Sequence, residues 1–418
     1  MLGGVSLAEI ASDRRFGTPA YVYDLDAIAA EARDLQAGFD DAPHLVAYAV
    51  KANSAGPVVK TLAEEGCGAD VVSGAELTLA LRCGVTPERI LFSGVAKADG
   101  ELDLAIGSGP AGIGSIHVES VEEITRVAAR AKAAGRVARV SLRINPAVDR
   151  EALDTHSYIA TGHDEAKFGV PLTSVPEALE LLTGLPAVEL VGVGSHVGSQ
   201  LTATEGYLAS ARALFAFARE VRTRFPLQFV DGGGGFGIDY GDGCPVRPAD
   251  FIRATRVLQR EMGLGDLALY CEPGRSLVGA HGVLLARVIQ HKIAEPRRWT
   301  MIDAGMNDLM RPALYQARHR IVPVTLDGSA VVRPYRVVGP VCESSDDFGI
   351  HDLPDAHGQH PSEVAILDAG AYGYSMASRY NGRALPAEVF LRGGAVAMVT
   401  PRHSAQDWVE DRLRAEGV

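Results

Sequence analysis

Short apolar runs alternate with amphipathic stretches over the first two thirds of the chain. Eight runs read as strands: 44–50, 69–72, 90–92, 115–118, 139–144, 190–194, 228–230 and 268–271. Helical spacing lies between most of them, at 58–65, 74–82, 121–134, 174–183 and 205–223. In the last, Leu208, Ala211, Leu214, Phe215 and Ala218 share a face. Eight alternating units predict an α/β fold, a (β/α)8 barrel of the TIM type. An open doubly wound sheet is the competing arrangement, and the count of eight favours closure. Residues 145–171 form a long insertion after the fifth strand, at the end of a barrel where sites are built.

After about Ser276 the rhythm changes. Residues 283–289, 299–302, 320–324, 331–338, 363–367 and 388–391 read as strands, with turns such as Asp327-Gly328 and Gly393-Gly394. Only short helices remain, near 308–316 and 370–378. This predicts a second, mainly β domain of sandwich or barrel-like type. The run PAYVY at 19–23 precedes the first helix, 25–37, and lies outside the barrel rhythm, so it is expected to join that second domain. The expected division is 25–275 for the barrel and 1–24 plus 276–418 for the β domain.

Composition narrows the class. A chain of 418 residues is long for one domain but fits a barrel of ~250 residues plus another. The net charge of −12 argues against nucleic acid or an anionic membrane as partner. The five cysteines, Cys67, Cys83, Cys244, Cys271 and Cys342, are odd in number and form no C-x-x-C pair. That suits a reducing compartment and no structural zinc or other metal. The N-terminus lacks a signal pattern, and no apolar run approaches ~20 residues. The expectation is a cytoplasmic protein with no membrane partner.

Candidate chemistry falls at the strand ends. AYAVKAN, 47–53, carries Lys51 out of the first barrel strand into a loop. A desolvated amine there is a nucleophile of the kind that forms Schiff bases with carbonyl substrates or pyridoxal phosphate. On this stretch alone, a lysine capping a strand in solvent is the simpler account. GSHVGSQ, 194–200, offers His196, whose flat ring suits a flat ligand, and Ser199, a donor for a phosphate oxygen. DGGGGFG, 231–237, contains Gly235 and exceeds what a turn needs, which favours phosphate binding by backbone N–H groups. Its spacing is not that of a dinucleotide fingerprint. In YCEPGRS, 270–276, Glu272 can hold a pyridine nitrogen protonated, Gly274 adds a backbone donor, and Arg275 can pair with a carboxylate or phosphate. A Glu–Arg pair that only closes the barrel is the alternative.

The second domain adds three more stretches. Arg311 and Tyr315 in DAGMNDLMRPALY would share a helix face and form a carboxylate clamp, with Pro312 requiring the helix to begin there. An ordinary surface pair is the alternative. GPVCESSD, 339–346, places Cys342, a possible proton donor to a carbanion, beside Glu343. DAGAYGYSM, 368–376, presents Tyr372 in a turn of small residues, either reaching into a pocket or packed under a loop.

Together these stretches resemble the diaminopimelate decarboxylases, a family of alanine-racemase-like, barrel-type pyridoxal-phosphate enzymes. The resemblance runs from TPAYVYD at Thr18 to PAEVF at Pro386. It adds GADVVSGAEL and YIATGHDEAKFGV to the motifs above, nine in register. It implies that Lys51 is the Schiff-base lysine and that His196 stacks on the cofactor ring. Ser199, Gly235 and the segment Glu272, Gly274, Arg275 would hold the ring nitrogen and phosphate. Arg275, Arg311 and Tyr315 would grip the substrate's distal carboxylate and Glu343 its distal amine. Cys342 would be the proton donor, and Tyr372 would contact cofactor and substrate. The implied reaction is decarboxylation of meso-diaminopimelate to L-lysine, the last step of lysine biosynthesis. The implied assembly is a homodimer whose sites take Cys342 and Glu343 from the partner chain. SGAE at 73–76, SGVAK at 93–97 and Tyr374 in YGYS, where Phe is common, depart from the commoner family forms without touching a residue given a role. The alternatives are decarboxylation of a related amino acid or biosynthetic intermediate on the same fold, and a non-catalytic pyridoxal-phosphate binder. The lysine and cysteine both stand against the latter.

Overall fold

A computed structural model of the chain describes residues 1–13, 15–145, 167–243, 246–325, 331–354 and 362–414. Most of the 145–171 insertion, the first nine residues of YIATGHDEAKFGV, Cys244 and the Asp327-Gly328 turn lie outside the described residues. The chain divides into two compact units. One comprises Ala29–Ile238 and Cys244–Leu277; the other comprises Met1–Ile28, Asp239–Gly243 and Val278–Val418. Among the described residues no helix is long and apolar enough to cross a membrane.

The first strand in the chain is β1 (Ala20–Asp24). Eight parallel strands follow: β2 (His44–Ala49), β3 (Gly68–Val71), β4 (Ile90–Phe92), β5 (Ser115–Val118), β6 (Ala138–Arg143), β7 (Val188–Gly194), β8 (Phe229–Asp231) and β9 (Ala268–Cys271). They close into a barrel, because β9 pairs with β2 in the register His44↔Leu269. That closure decides against the open doubly wound sheet. The strands are short, apolar and buried on both faces, as parallel strands inside a ring of helices must be. Two of the helices, Gly74–Arg82 and Val121–Ala133, start where a serine side chain satisfies one of their first N–H groups. Ser73 Oγ accepts from Glu76 N–H at 3.2 Å and Ser120 Oγ from Glu123 N–H at 3.1 Å. The helix Pro248–Glu261 carries polar Thr255, Arg256 and Gln259 on its buried face, which hides its apolar stripe in the sequence. Gln259 is satisfied there by donating to the Leu264 and Leu267 carbonyls, each at 3.0 Å.

The other unit is built on a mixed sheet. Its strands are β10 (Gly282–Ala294), β11 (Arg297–Ile302), β12 (Ile321–Pro323), β13 (Val332–Val338), β14 (Asp347–Pro354), β15 (Glu363–Ile366), β16 (Ala387–Arg392) and β17 (Ala395–Thr400). The path runs β14-β13-β11-β10-β1-β16-β17, and β15 joins β10 to β12. The early run PAYVY therefore does belong to this sheet, at its centre: β1 lies antiparallel to β10 and parallel to β16. Leu7 and Ile10 of the helix Leu7–Ser12 pack in the same core as Ala20, Val22, Leu285 and Val389. Two strands had no clear pattern in the sequence. β14 reads DFGIHDLP, and β17 is largely exposed; both are the end strands of the path, where no alternation is enforced. The helix expected near 370–378 is only a 3₁₀ turn, Tyr374–Met376, because Gly370 and Gly373 serve close backbone approach instead.

Candidate active site

Each strand of the barrel delivers a polar group at or just past its C-terminal end. Lys51 lies in the 3₁₀ turn Val50–Ala52 directly after β2. Its Nζ donates to Asp70 Oδ2 at 2.7 Å, and Asp70, at the end of β3, is wholly buried. Lys51 is thus not a lysine capping a strand in solvent; it is tied to an anion inside the barrel. His117 of β5, Asp231 of β8 and Glu272 after β9 form a buried cluster. His117 Nδ1 lies 3.5 Å from Glu272 Oε1, and His117 Nε2 lies 3.8 Å from Asp231 Oδ2. One potential ligand atom from each residue falls within 4.8 Å of the others, an arrangement that could hold a cation.

The charges in this cluster are out of balance. Burial, reinforced by the Asp70 and Asp231 carboxylates, pushes the Glu272 carboxyl well above its ordinary range against the pull of Lys51 and Arg143. Burial likewise raises Asp231 to about 7, although its Oδ1 accepts from Gly233 N–H at 2.8 Å. His117 is driven down to about 4 by burial, so the imidazole is neutral at physiological pH. Burial would raise Asp70 too, but the adjacent Lys51 cation overcomes it and holds that acid below its ordinary value. The mouth therefore holds one ion pair beside two acids that resist ionising, a setting tuned for an added positive charge.

The glycine run has a steric reason. A Cβ on Gly233 would meet the Ser195 carbonyl oxygen at 2.6 Å, on Gly234 the Glu272 carbonyl oxygen at 1.9 Å, and on Gly235 the Gly198 carbonyl oxygen at 2.3 Å. The run is a backbone seam between the loops after β7 and β9. Gly234 N–H donates to His196 Nδ1 at 3.1 Å. That leaves the ring proton on Nε2 and fixes the histidine's tautomer. Arg275, buried, donates to Ser199 Oγ at 2.9 Å. Lys51, His196, Ser199, Gly235, Glu272 and Gly274 follow the C-terminal ends of their strands, and Arg275 opens the short helix Arg275–Val278 after β9, so all lie at the same end of the barrel unit.

The remaining residues singled out in the sequence belong to the β unit. Arg311 opens the short helix Arg311–Tyr315 with Pro312 at its start, as the proline required. Arg311 is buried. Its Nη1 donates to His319 Nε2 at 2.7 Å, and its guanidinium lies 4.8 Å over the Tyr240 ring. His319 Nδ1 in turn donates to the Leu367 carbonyl at 2.9 Å, which leaves Nε2 free of a proton and able to accept from arginine. Tyr315 is half-buried at the helix end. Cys342 and Glu343 lie exposed on one loop. Tyr372 adopts a left-handed backbone, φ 54°, an outlier for an aromatic residue of the kind that clusters at functional sites.

Asp70, His117, Asp231 and His319 carried no role in the sequence reading. The first three had a signal: an ionisable residue within an otherwise apolar barrel strand, which cannot be buried without a partner or a purpose. His319 had none, since its contact with Arg311 arises from the chain reversal after Tyr315.

Comparison with known proteins is consistent across sequence and structure. The family model described as "Pyridoxal-dependent decarboxylase, pyridoxal binding domain" matches residues 25–279. The diaminopimelate decarboxylase of Zymomonas mobilis is 39% identical over 417 residues, covering 99% of this chain and 96% of that protein. That of Pseudomonas aeruginosa is 40% identical over 406 residues, covering 97% and 94%. The crystal structure of diaminopimelate decarboxylase from Helicobacter pylori complexed with L-lysine matches with a TM-score of 0.88 at 35% identity, covering 97% of this chain and 98% of that one.

Proposed function

This chain belongs to the diaminopimelate decarboxylases, within the pyridoxal-dependent decarboxylase family, and we propose that it converts meso-2,6-diaminopimelate to L-lysine and carbon dioxide with pyridoxal 5'-phosphate as cofactor. The observation that carries this reading is the Lys51–Asp70 pair at 2.7 Å beside the buried acids Glu272 and Asp231. When bound, pyridoxal phosphate supplies the electron sink for the pair left behind as the carboxyl group departs.

The residues present fit that group. Lys51 is an amine held in place by a buried anion, able to bond the cofactor covalently. Glu272, whose carboxyl is pushed up by burial and by the neighbouring acids, would gain a counter-charge from a protonated ring nitrogen that favours its ionised form. Arg275 and Ser199, already hydrogen-bonded, together with the backbone at Gly235 and Gly274, suit the phosphate. His196, its tautomer set by Gly234, would lie against the ring. Tyr372 would contact cofactor and substrate.

On the substrate, Arg275, Arg311 and Tyr315 would hold the distal carboxylate. The His319 and Tyr240 contacts keep the Arg311 fork oriented. Glu343 would take the distal ammonium, and the Cys342 thiol would deliver the proton to the carbon that loses carbon dioxide. The working division is a barrel of residues 25–275 and a β domain of 1–24 plus 276–418. The working form is a cytoplasmic homodimer in which Cys342 and Glu343 come from the partner chain. Mixing inactive Lys51→Ala and Cys342→Ala enzymes tests that: regained activity supports sharing, and none despite proven subunit exchange refutes it.

Incubating the purified protein with pyridoxal phosphate and meso-diaminopimelate should give lysine and carbon dioxide in equal amounts. Lys51→Ala should lose both turnover and the long-wavelength absorbance of lysine-bound cofactor. Normal turnover in that variant would refute the assignment.

A further inference from the structure

The loop at 339–346 carries Cys342 and Glu343, and a single turn clasps it through side chains that have no role above. Asn381, inside the 3₁₀ turn Tyr380–Gly382, has a left-handed backbone, φ 56°, and its Oδ1 accepts from Cys342 N–H at 2.8 Å. The Tyr380 hydroxyl donates to Glu343 Oε1 at 2.7 Å. Arg383 Nη2 donates to the Pro340 carbonyl at 3.3 Å. Across the loop, the Asp346 carboxylate accepts from Val341 N–H and Met306 N–H, each at 2.6 Å. The clasp is backed in turn by the last helix, Ala405–Leu413. A Cβ on Gly382 would lie 3.4 Å from the Trp408 ring, and Arg379 Nη1 donates to Asp411 Oδ2 at 2.7 Å.

Asparagine is among the few residues other than glycine that tolerate this backbone region. It therefore satisfies the turn and supplies the acceptor for Cys342 at once. The phenol of Tyr380 restricts a glutamate that is otherwise exposed and free to sample rotamers. Exposed hydrogen bonds of this kind add little to stability, so their consequence lies in where they aim the groups they hold.

We propose that Asn381 and Tyr380 are positioning residues for the reaction, Asn381 setting the backbone that presents the Cys342 thiol and Tyr380 aiming the Glu343 carboxylate. The inference rests on the roles proposed above for Cys342 and Glu343 and deepens them. It separates two effects. Loss of the Asn381 acceptor acts on the proton delivered to carbon, and so on kcat. Loss of the Tyr380 hydroxyl acts on the grip on the distal ammonium, and so on KM.

The test compares Asn381→Gly, which keeps the backbone conformation and removes the acceptor, with Asn381→Asp, which restores an acceptor, and with Tyr380→Phe. Asn381→Gly should lower kcat about tenfold with KM within about twofold, and Asn381→Asp should recover most of the loss. Tyr380→Phe should raise KM about fivefold with kcat little changed. A second readout needs no turnover: the alkylation rate of Cys342 by iodoacetamide, followed on its own peptide by mass spectrometry. It should shift about threefold or more in Asn381→Gly and stay at the wild-type rate in the other two. If the wild type makes no lysine yet the Cys342 rate shifts in Asn381→Gly alone, the reaction assignment fails and the clasp stands. An unchanged Cys342 rate in folded Asn381→Gly overturns the proposal, as does an unchanged kcat in an active enzyme whose Cys342 rate has shifted. Should Asn381→Gly fail to fold, Tyr380→Phe decides: an unchanged KM overturns the proposal.

Discussion

Gly234→Ala adds one methyl group to the seam between two strand-end loops of the barrel. Its Cβ would stand 1.9 Å from the Glu272 carbonyl oxygen and 2.7 Å from the carbonyl carbon. Ordinary contact begins near 3.4 Å, so the loops must part by about 1.5 Å. Both obstructing atoms are backbone, and that backbone is held: Glu272 N–H donates to the Gly233 carbonyl at 2.9 Å, and Ala49 N–H to the Pro273 carbonyl at 2.9 Å. Separation strains or breaks the first of these. Overpacking costs about 1–3 kcal/mol and a lost hydrogen bond about 1, so Gly234→Ala should destabilise by about 2–4 kcal/mol. The same movement displaces Glu272 and the His196 acceptor of Gly234 N–H, so pyridoxal-phosphate retention should fall with it. Urea unfolding read by fluorescence measures the first effect, and equilibrium dialysis the second. Gly107→Ala is the control, because a Cβ there meets nothing within 4 Å. It should be neutral or stabilising by up to about 1 kcal/mol. A Gly234→Ala protein within about 0.5 kcal/mol of wild type, with cofactor binding intact, would refute the steric account of the glycine run.

Two further predictions concern pH. Burial raises the Glu388 carboxyl from its ordinary 4.5 to about 7, opposed by the Tyr23 hydroxyl bond at 3.2 Å. Between those values the unfolded chain releases the proton while the folded chain keeps it, so stability falls as pH rises, by about 3 kcal/mol in all at about 1.4 kcal/mol per pH unit. Glu388→Gln is neutral throughout and should gain up to about that amount at pH 8 and little at pH 5; parallel stability profiles for the two proteins would count against this. Asp70 has the opposite sign. Lys51 holds it below its ordinary value, so its contribution is present above about pH 4 and lost as pH falls through the lower folded value. Asp70→Asn should therefore flatten the acid limb of a stability profile, and an acid limb identical to wild type would exclude the pair as its source.

The barrel was legible because its signal is repeated. Eight apolar runs, each bounded by loop residues, leave few topologies open, and the β2–β9 register completes the one they favour. Strand edges shifted by a residue or two, as with β6 at Ala138–Arg143 where 139–144 was expected, because apolarity continues past the last ladder bond. The β unit was less legible for a physical reason. Its end strands β14 and β17 have a partner on one side only and carry exposed positions, so their sequences need not alternate. The last helix, Ala405–Leu413, has no buried residue, and only its Ser404 cap and Asp407 mark its start. Among site residues, those at motif ends such as Lys51 and Glu272 stood out. Asp70 and His117 did not, because GADV and SIHV read simply as strands until the barrel closes and turns them toward one another.

What the sequence could not display is the cost of the site. Burying Asp70, Asp231 and Glu272 together gives up hydration for three carboxyl groups, and among the described residues only Asp70 has a cation within hydrogen-bonding distance. The other two remain folded by holding protons above their ordinary range. Backbone cost falls on the same kind of residue: Tyr372, Asp368 and Asn381 all occupy the left-handed region. For Asp368 the compensation is visible, since Arg320 donates to both of its carboxylate oxygens at 2.8–3.0 Å. Asn381 is compensated by the Cys342 N–H it accepts. Acids whose ionisation burial opposes tie binding of a cationic group to stability, because the folded chain alone presents the arrangement that binds it. Lys51 offsets the charge of Asp70, and the remaining excess of acid at the barrel mouth is what an added cation would relieve.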